Sequence, residues 1–165
     1  MASGPDRSRG RRQGRRLALA SIFEAEFGQR TPSAVLERHL AETERDESAA
    51  DLARALVAAV HEHRLEIDEL ITRTAPQYPV VGLARIDRAL LRTAISEVLH
   101  SATPARVAIA EWVELARIYS GDPIRRLMNG VLGRIAPPNS EEGVRGHNVR
   151  PAQEDRRRAA RRRRG

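Results

Sequence analysis

Apolar residues recur at three- and four-residue steps along most of the chain, and the two-residue alternation of a half-buried strand is absent. From Arg11 to about Phe27, positions Leu17, Ala20, Phe23/Glu24 and Phe27 make one helical stripe, and Gly28 is placed to stop it. Thr31-Pro32-Ser33 supplies a capping hydroxyl followed by proline at the first helical position. This predicts a helix to about Arg45 with Val35, Leu36, His39 and Leu40 facing inward. After the acidic loop ETERDES, Ser48 is expected to cap a long helix with Leu52, Leu56, Val60, Ile67, Leu70 and Ile71 inside. Pro76 ends that helix, because the residue before a proline is driven out of helical conformation.

Residues 76–83 read as an irregular connector with room for one short turn. Over 84–100 the pattern changes: Ile86, Leu90, Leu91, Ala94, Ile95, Val98 and Leu99 cover most of the circumference. A helix apolar nearly all round belongs at the centre of a bundle. Thr103-Pro104 and Asp122-Pro123 open two further helices by the same cap-plus-proline logic, and Pro137-Pro138 closes the series. The prediction is an all-α, single-domain bundle of about six or seven helices spanning 11–137. A polar, aperiodic start (1–10) and an arginine-rich tail (138–165) flank it, both expected to be disordered.

Composition agrees with a helical core. Hydrophobic residues make up 41% of 165, yet Phe23, Phe27, Tyr78, Trp112 and Tyr119 are the only aromatics, so aliphatic side chains and alanine must fill the interior. The absence of cysteine excludes disulfides, thiolate metal sites and a cysteine nucleophile. No run approaches the roughly 20 apolar residues of a membrane span, and the N-terminus is too polar for a secretory signal. A cytoplasmic protein without membrane contact is expected.

The net charge of +7 is unevenly spread, and every basic residue is arginine. Residues 1–16 hold six arginines and one acidic residue; residues 137–165 hold nine and four. The body between them has 14 arginines against 17 acidic residues. Basic ends on a mildly acidic body point to polyanion contact through the ends. The segment Arg11-Arg12-Gln13-Gly14-Arg15-Arg16 is the best candidate, since each guanidinium can bind a phosphate through two parallel hydrogen bonds. At an expected helix start, the dipole would favour such an anion. The tail RRRAARRRR either adds salt-sensitive RNA affinity or only solvates the chain end.

Catalytic patterns are weak. Glu111 and Glu114 are three apart on one predicted helix, without a histidine in motif spacing or a glycine-rich phosphate loop, and Arg106 and Arg117 offer them ordinary partners. No enzyme activity and no cofactor are expected. His61 and His63 point to different sides of a helix, while His39 and His100 are isolated, so no metal site is expected either. Asn129-Gly130 lies within a helix, where glycine costs roughly 1 kcal/mol relative to alanine. That predicts close helix packing at Gly130 and a buried hydrogen bond at Asn129.

Three pieces, in order from residue 11 to 137, resemble the bacterial NusB family of transcription antitermination proteins. They are Arg11–Arg16; Ile86-Asp87-Arg88-Ala89-Leu90-Leu91-Arg92; and Val107-Ala108-Ile109 with Glu111, Glu114-Leu115-Ala116 and Asn129-Gly130-Val131-Leu132. The resemblance implies a NusB-like fold and binding of single-stranded boxA RNA in ribosomal RNA leader transcripts. Binding would be joint with NusE, a small-subunit ribosomal protein, within an RNA polymerase antitermination complex. It implies phosphate contact by Arg11, Arg12, Arg15 and Arg16, and single-strand contact by Phe23, which periodicity alone would put in the core. It implies NusE contact by Asp87, whose own neighbours Arg88 and Arg92 offer an intrahelical pair instead.

The sequence departs from the family pattern at several positions. Ala110 stands for a common asparagine, Tyr78 for a tryptophan, and Leu127 for an aromatic of the RNA face. Pro123 stands for an acidic residue that the adjacent Asp122 can replace. Base stacking is therefore less well equipped than phosphate contact. Two alternatives remain. One is the NusB-like RNA-binding module of ribosomal-RNA cytosine methyltransferases, although no cofactor-binding βαβ unit follows Pro137. The other is a homodimeric scaffold with its RNA face masked.

Overall fold

The structure, a computed structural model, describes residues 4–138. The expectations for the first three residues and for the tail beyond 138 lie outside the described residues. Six α-helices follow one another: α1 (Gly4–Ala25), α2 (Pro32–Glu42), α3 (Glu47–Thr74), α4 (Arg85–His100), α5 (Ala105–Tyr119) and α6 (Asp122–Ile135), with one 3-10 turn at Val80–Gly82. No strand occurs among the described residues. The architecture is all-α, as the periodicity predicts.

α4 is the hub. Every residue from Ala89 to Val98 is buried, and the helix packs against α1, α3, α5 and α6. α1 joins α2 and α3 on one side, and α5 pairs with α6 on the other. Leu90, Leu91 and Ile95 meet Leu19, Leu56, Ile67, Ile71, Trp112 and Met128 in one continuous core.

Local signals set most helix ends. The Thr31 hydroxyl accepts the Ala34 N–H at 3.2 Å, with Pro32 opening α2. Elsewhere the capping residue differs from expectation. Asp46 caps α3 in place of Ser48, accepting that residue's N–H at 3.3 Å. Pro104 and Gly121 occupy the cap positions of α5 and α6, and neither supplies a side-chain cap. Thr103 is thereby released for another role, described below. Gly121 has φ 121°, which a side-chain-bearing residue would rarely adopt.

Two expectations for α1 are corrected. The helix begins at Gly4 rather than near Arg11, so residues 4–10 belong to it. Its buried face is Leu17, Ala18, Leu19, Ser21 and Ile22, while Ala20 is exposed and Phe27 is 52% exposed. The longer helix lies close against the start of α3. A Cβ on Gly14 would stand 2.7 Å from the Ala49 carbonyl oxygen and 3.1 Å from Leu52 Cβ. Because that oxygen is backbone, it cannot swing away. Gly14→Ala should lower stability by about 1–3 kcal/mol despite alanine's better helix propensity, read as a fall in the midpoint of thermal or urea unfolding.

Arginine also ties the bundle together at partly buried positions. Arg92 donates through Nε and Nη2 to both Asp68 oxygens at 2.8 Å, and through Nη1 to Glu26 at 2.8 Å. Arg88 donates to the other Glu26 oxygen at 2.7 Å and to the Val80 carbonyl at 3.2 Å. One chain of charges thus fastens the turn after α1 to α3, α4 and the 3-10 turn. It also engages the two arginines that the sequence offered to Asp87.

Candidate nucleic-acid interface

The four arginines of the RRQGRR segment have three different fates. Arg15 is 2% exposed, and its guanidinium grips the buried Glu97 of α4: Nε donates to Oε2 at 2.9 Å and Nη2 to Oε1 at 2.7 Å. Glu97 also accepts the Trp112 indole N–H at 2.6 Å and the Thr103 hydroxyl at 2.9 Å. Arg11 is partly buried and donates to Thr103 Oγ1 at 2.5 Å. Arg12 and Arg16 are exposed. The expectation that Arg15 binds phosphate is therefore corrected: its charge is spent inside the domain.

Burial opposes ionisation of Glu97. The hydrogen bonds and charge of Arg15 outweigh it, with help from Trp112 and Thr103, and hold the carboxyl below its ordinary range. The site is thus an ion pair whose acceptor positions are filled from three side chains, Arg15, Trp112 and Thr103. Its role is to fix α1 against α4 and α5, which aims the neighbouring arginines outward.

On the surface, Arg9, Arg12 and Arg16 follow at three- and four-residue steps and are all exposed, so they make one stripe along α1. Arg9 went unrecognised because its segment reads as aperiodic in sequence. The same helical line continues through exposed Ala20 to half-buried Phe23, and exposed Phe27 follows in the turn after α1. Phe23 and Phe27 meet edge to face at 5.4 Å, and the Arg85 guanidinium lies 4.7 Å from the Phe27 ring centre. Cations at one end and π-faces at the other are the two elements that single-stranded nucleic acid engages. The arginines lie well inside α1, beyond its first turn, so the helix-dipole contribution expected for a bound phosphate falls away.

A groove between α1 and α5 borders the stripe, lined by Arg12, Arg16, Ala110, Glu111, Glu114 and Ile118. Arg12 donates to Glu111 at 3.2 Å, a partner from another helix rather than the Arg106 or Arg117 that its own helix offered. Glu114 is held by Arg117 at 2.5 Å. These two carboxylates are each engaged in an ion pair with arginine. Ala110 also lines a second groove with Asn129, Arg106, Ile109, Val113 and Gly133, so the two grooves adjoin over α5.

Asn129 and Gly130 are exposed, and nothing lies within 4 Å of where a Gly130 Cβ would stand. Both expectations for this pair, close packing and a buried hydrogen bond, are corrected. The two residues open surface rather than fill core.

The remaining candidates lie apart from the arginine stripe. Leu127 is half-buried in a different groove with Tyr78, Gln77, Pro123 and Arg126. Asp87, at the start of α4, accepts the Ser120 hydroxyl at 2.6 Å rather than an arginine. Asp122 is exposed two residues beyond Ser120 and takes Arg125 at 3.0 Å. Asp87 and Asp122 thus flank the α5–α6 turn, with Leu127 further along α6, and none of the three lines the groove of Arg12 and Arg16.

The sequence profile of the NusB family matches residues 12–137, which hold all of these features but Arg9 and Arg11. The chain belongs to the NusB family. It is 40% identical over 134 residues to the transcription antitermination protein NusB of Symbiobacterium thermophilum, covering 76% of this chain and 88% of that one. Among solved structures, T. maritima NusB superposes with a TM-score of 0.72 at 31% identity, over 82% of this chain and 96% of that one. A structure of the antitermination factors NusB and NusE in complex with dsRNA shares the fold, at a TM-score of 0.67 and 23% identity. That match covers 76% of this chain and 95% of the other. The NusB-like fold expected from the sequence is the one observed. Among the described residues, no helix is long and apolar enough to cross a membrane.

Proposed function

We propose that the protein is a transcription antitermination factor that binds single-stranded boxA RNA together with NusE. It acts in the cytoplasm as part of an RNA polymerase complex, by binding and not by catalysis. The observation that carries this reading is the exposed Arg9–Arg12–Arg16 stripe on a family member's first helix, held outward by the buried Arg15–Glu97 pair. The NusB relatives named as antitermination proteins, and the NusB–NusE–RNA assembly of the same fold, support it.

In this reading Arg12 and Arg16 hold backbone phosphate, Arg11 assists from a partly buried position, and Phe23 with Phe27 offers the stacking surface. Asp87, Asp122 and Leu127 form a second contact zone flanking the α5–α6 turn and reaching along α6, suited to NusE and the RNA it holds. The test is binding of boxA RNA against a scrambled control, with and without purified NusE, over a series of salt concentrations. A boxA preference that grows with NusE is expected. Equal binding of both RNAs, unchanged by NusE, would reduce the function to non-specific polyanion contact.

A further inference from the structure

Away from the arginine face, three side chains that sequence keeps apart converge between α3 and the end of α4. The backbone of α3 leaves helical geometry at His63, with φ −107° and ψ 15°. Glu66 follows three positions later, and His100 is the last residue of α4. The two imidazoles stack with centres 3.6 Å apart and planes 7° from parallel. Glu66 reaches both, its Oε2 3.4 Å from His63 Nδ1 and its Oε1 3.8 Å from His100 Nε2. One ligand atom from each of the three residues lies within 4.8 Å of the others. The sequence expectation of an isolated His100 is thus corrected, since tertiary packing supplies the partner that His61 could not.

Two features favour a shared cation over direct contacts. The carboxylate–imidazole gaps exceed the 2.7–3.2 Å of a good hydrogen bond. A tetrahedral ion with ligand bonds of about 2.0–2.2 Å holds its ligand atoms roughly 3.3–3.5 Å apart, which is near these spacings. In addition, His100 Nε2 is shielded from solvent and has no hydrogen-bond partner. An orphaned ring nitrogen is costly, and a metal bond would satisfy it.

We propose that His63, Glu66 and His100 bind a divalent transition ion of the zinc class. Two imidazoles and one carboxylate suit zinc, cobalt, nickel or copper, whereas magnesium and calcium prefer oxygen ligands throughout. Three protein ligands leave the fourth position to water. The parallel rings must tilt toward each other for their lone pairs to converge, and side-chain exposures of 27% and 23% leave room for that rotation. Glu62, 3.8 Å from His63 Nε2, stands at the ring's other nitrogen, where metal-bound histidines commonly keep a carboxylate. The bound ion clamps the break in α3 to the end of α4, just before the Ser101–Thr103 segment whose Thr103 holds Arg11 and Glu97.

The experiment is calorimetric titration of the tag-free full chain with zinc chloride, together with thermal unfolding and the visible absorption of added cobalt. One zinc per chain, a rise in Tm with zinc but not magnesium, and a cobalt ligand-field band are expected. Losing even an outer partner of a metal ligand weakens binding about 10- to 100-fold. His63→Gln and His100→Gln should each therefore reduce affinity at least tenfold while keeping the helical circular dichroism. His61→Gln, an exposed histidine outside the cluster, should bind zinc as the parent does. Zinc binding that survives both cluster variants, or no binding by the parent chain, overturns the proposal.

Discussion

Replacing Arg15 with alanine is expected to cost the domain about 3–5 kcal/mol, the largest loss of any single change at its surface-coded arginines. The carboxylate of Glu97 is fully buried, and without Arg15 its charge would keep only neutral donors, Trp112 and Thr103, and the distant Arg11 at 3.8 Å. Breaking a buried pair from one side leaves an uncompensated charge, which costs far more than the pair contributes. Against a total stability of about 5–15 kcal/mol, the variant should be partly unfolded near its working temperature. Urea unfolding followed by circular dichroism measures the loss. Arg12→Ala breaks only an exposed pair with Glu111 and should stay within about 1 kcal/mol of the parent.

Acid should act on the same pair. The Glu97 carboxyl sits below its ordinary range in the folded state, so as pH falls the unfolded chain takes up the proton first. The stability this group contributes is present above the usual glutamate value of about 4.3 and is lost as pH drops below it toward the folded value. Glu26 works in the same direction: burial opposes its ionisation, but Arg88 and Arg92 prevail. Glu97→Gln should flatten the acid limb of a stability–pH curve, at the cost of lower stability at neutral pH. An unchanged acid limb in that variant would assign acid unfolding to other carboxylates.

Arg12→Ala combined with Arg16→Ala should weaken boxA binding about 10- to 100-fold with little change in unfolding midpoint. A charge-assisted hydrogen bond contributes about 1.5–3 kcal/mol, and Arg12 must first surrender Glu111, which reduces its share. Each phosphate contact on a single strand also contributes about 0.7 to the slope of log affinity against log salt, so the pair should lower that slope by about 1.4. Titrations at several salt concentrations read both quantities. The double variant is the informative one. Replacing Arg11, Arg12, Arg15 and Arg16 together would abolish RNA binding through unfolding and say nothing of contact. A double variant that binds RNA as tightly as the parent would move the phosphate site off α1.

The sequence by itself determined the helical class, the helix order and the central place of α4. Thr31-Pro32, Pro76 and the three- and four-residue apolar steps act within a few residues of themselves, so their effect can be read locally. It also marked the RRQGRR segment and the family it belongs to. Charged residues within the apolar α4, Arg92 and Glu97, were the local signs of buried partners, because a charge at that depth requires an opposite charge beside it. Which arginine supplies the cation for Glu97 depends on a contact 82 residues away, and only the packing of α1 on α4 decided it. The same holds for two glycines of equal local cost. Gly14 is forced by the approach of α3, while Gly130 faces open space. His63 and His100, 37 positions apart, stack only because a break in α3 brings one ring over the end of α4. Periodicity assigns a residue to a face, but the partner on that face is chosen by helices distant in the chain. The sorting of arginines into core and surface was therefore a property of the tertiary structure alone.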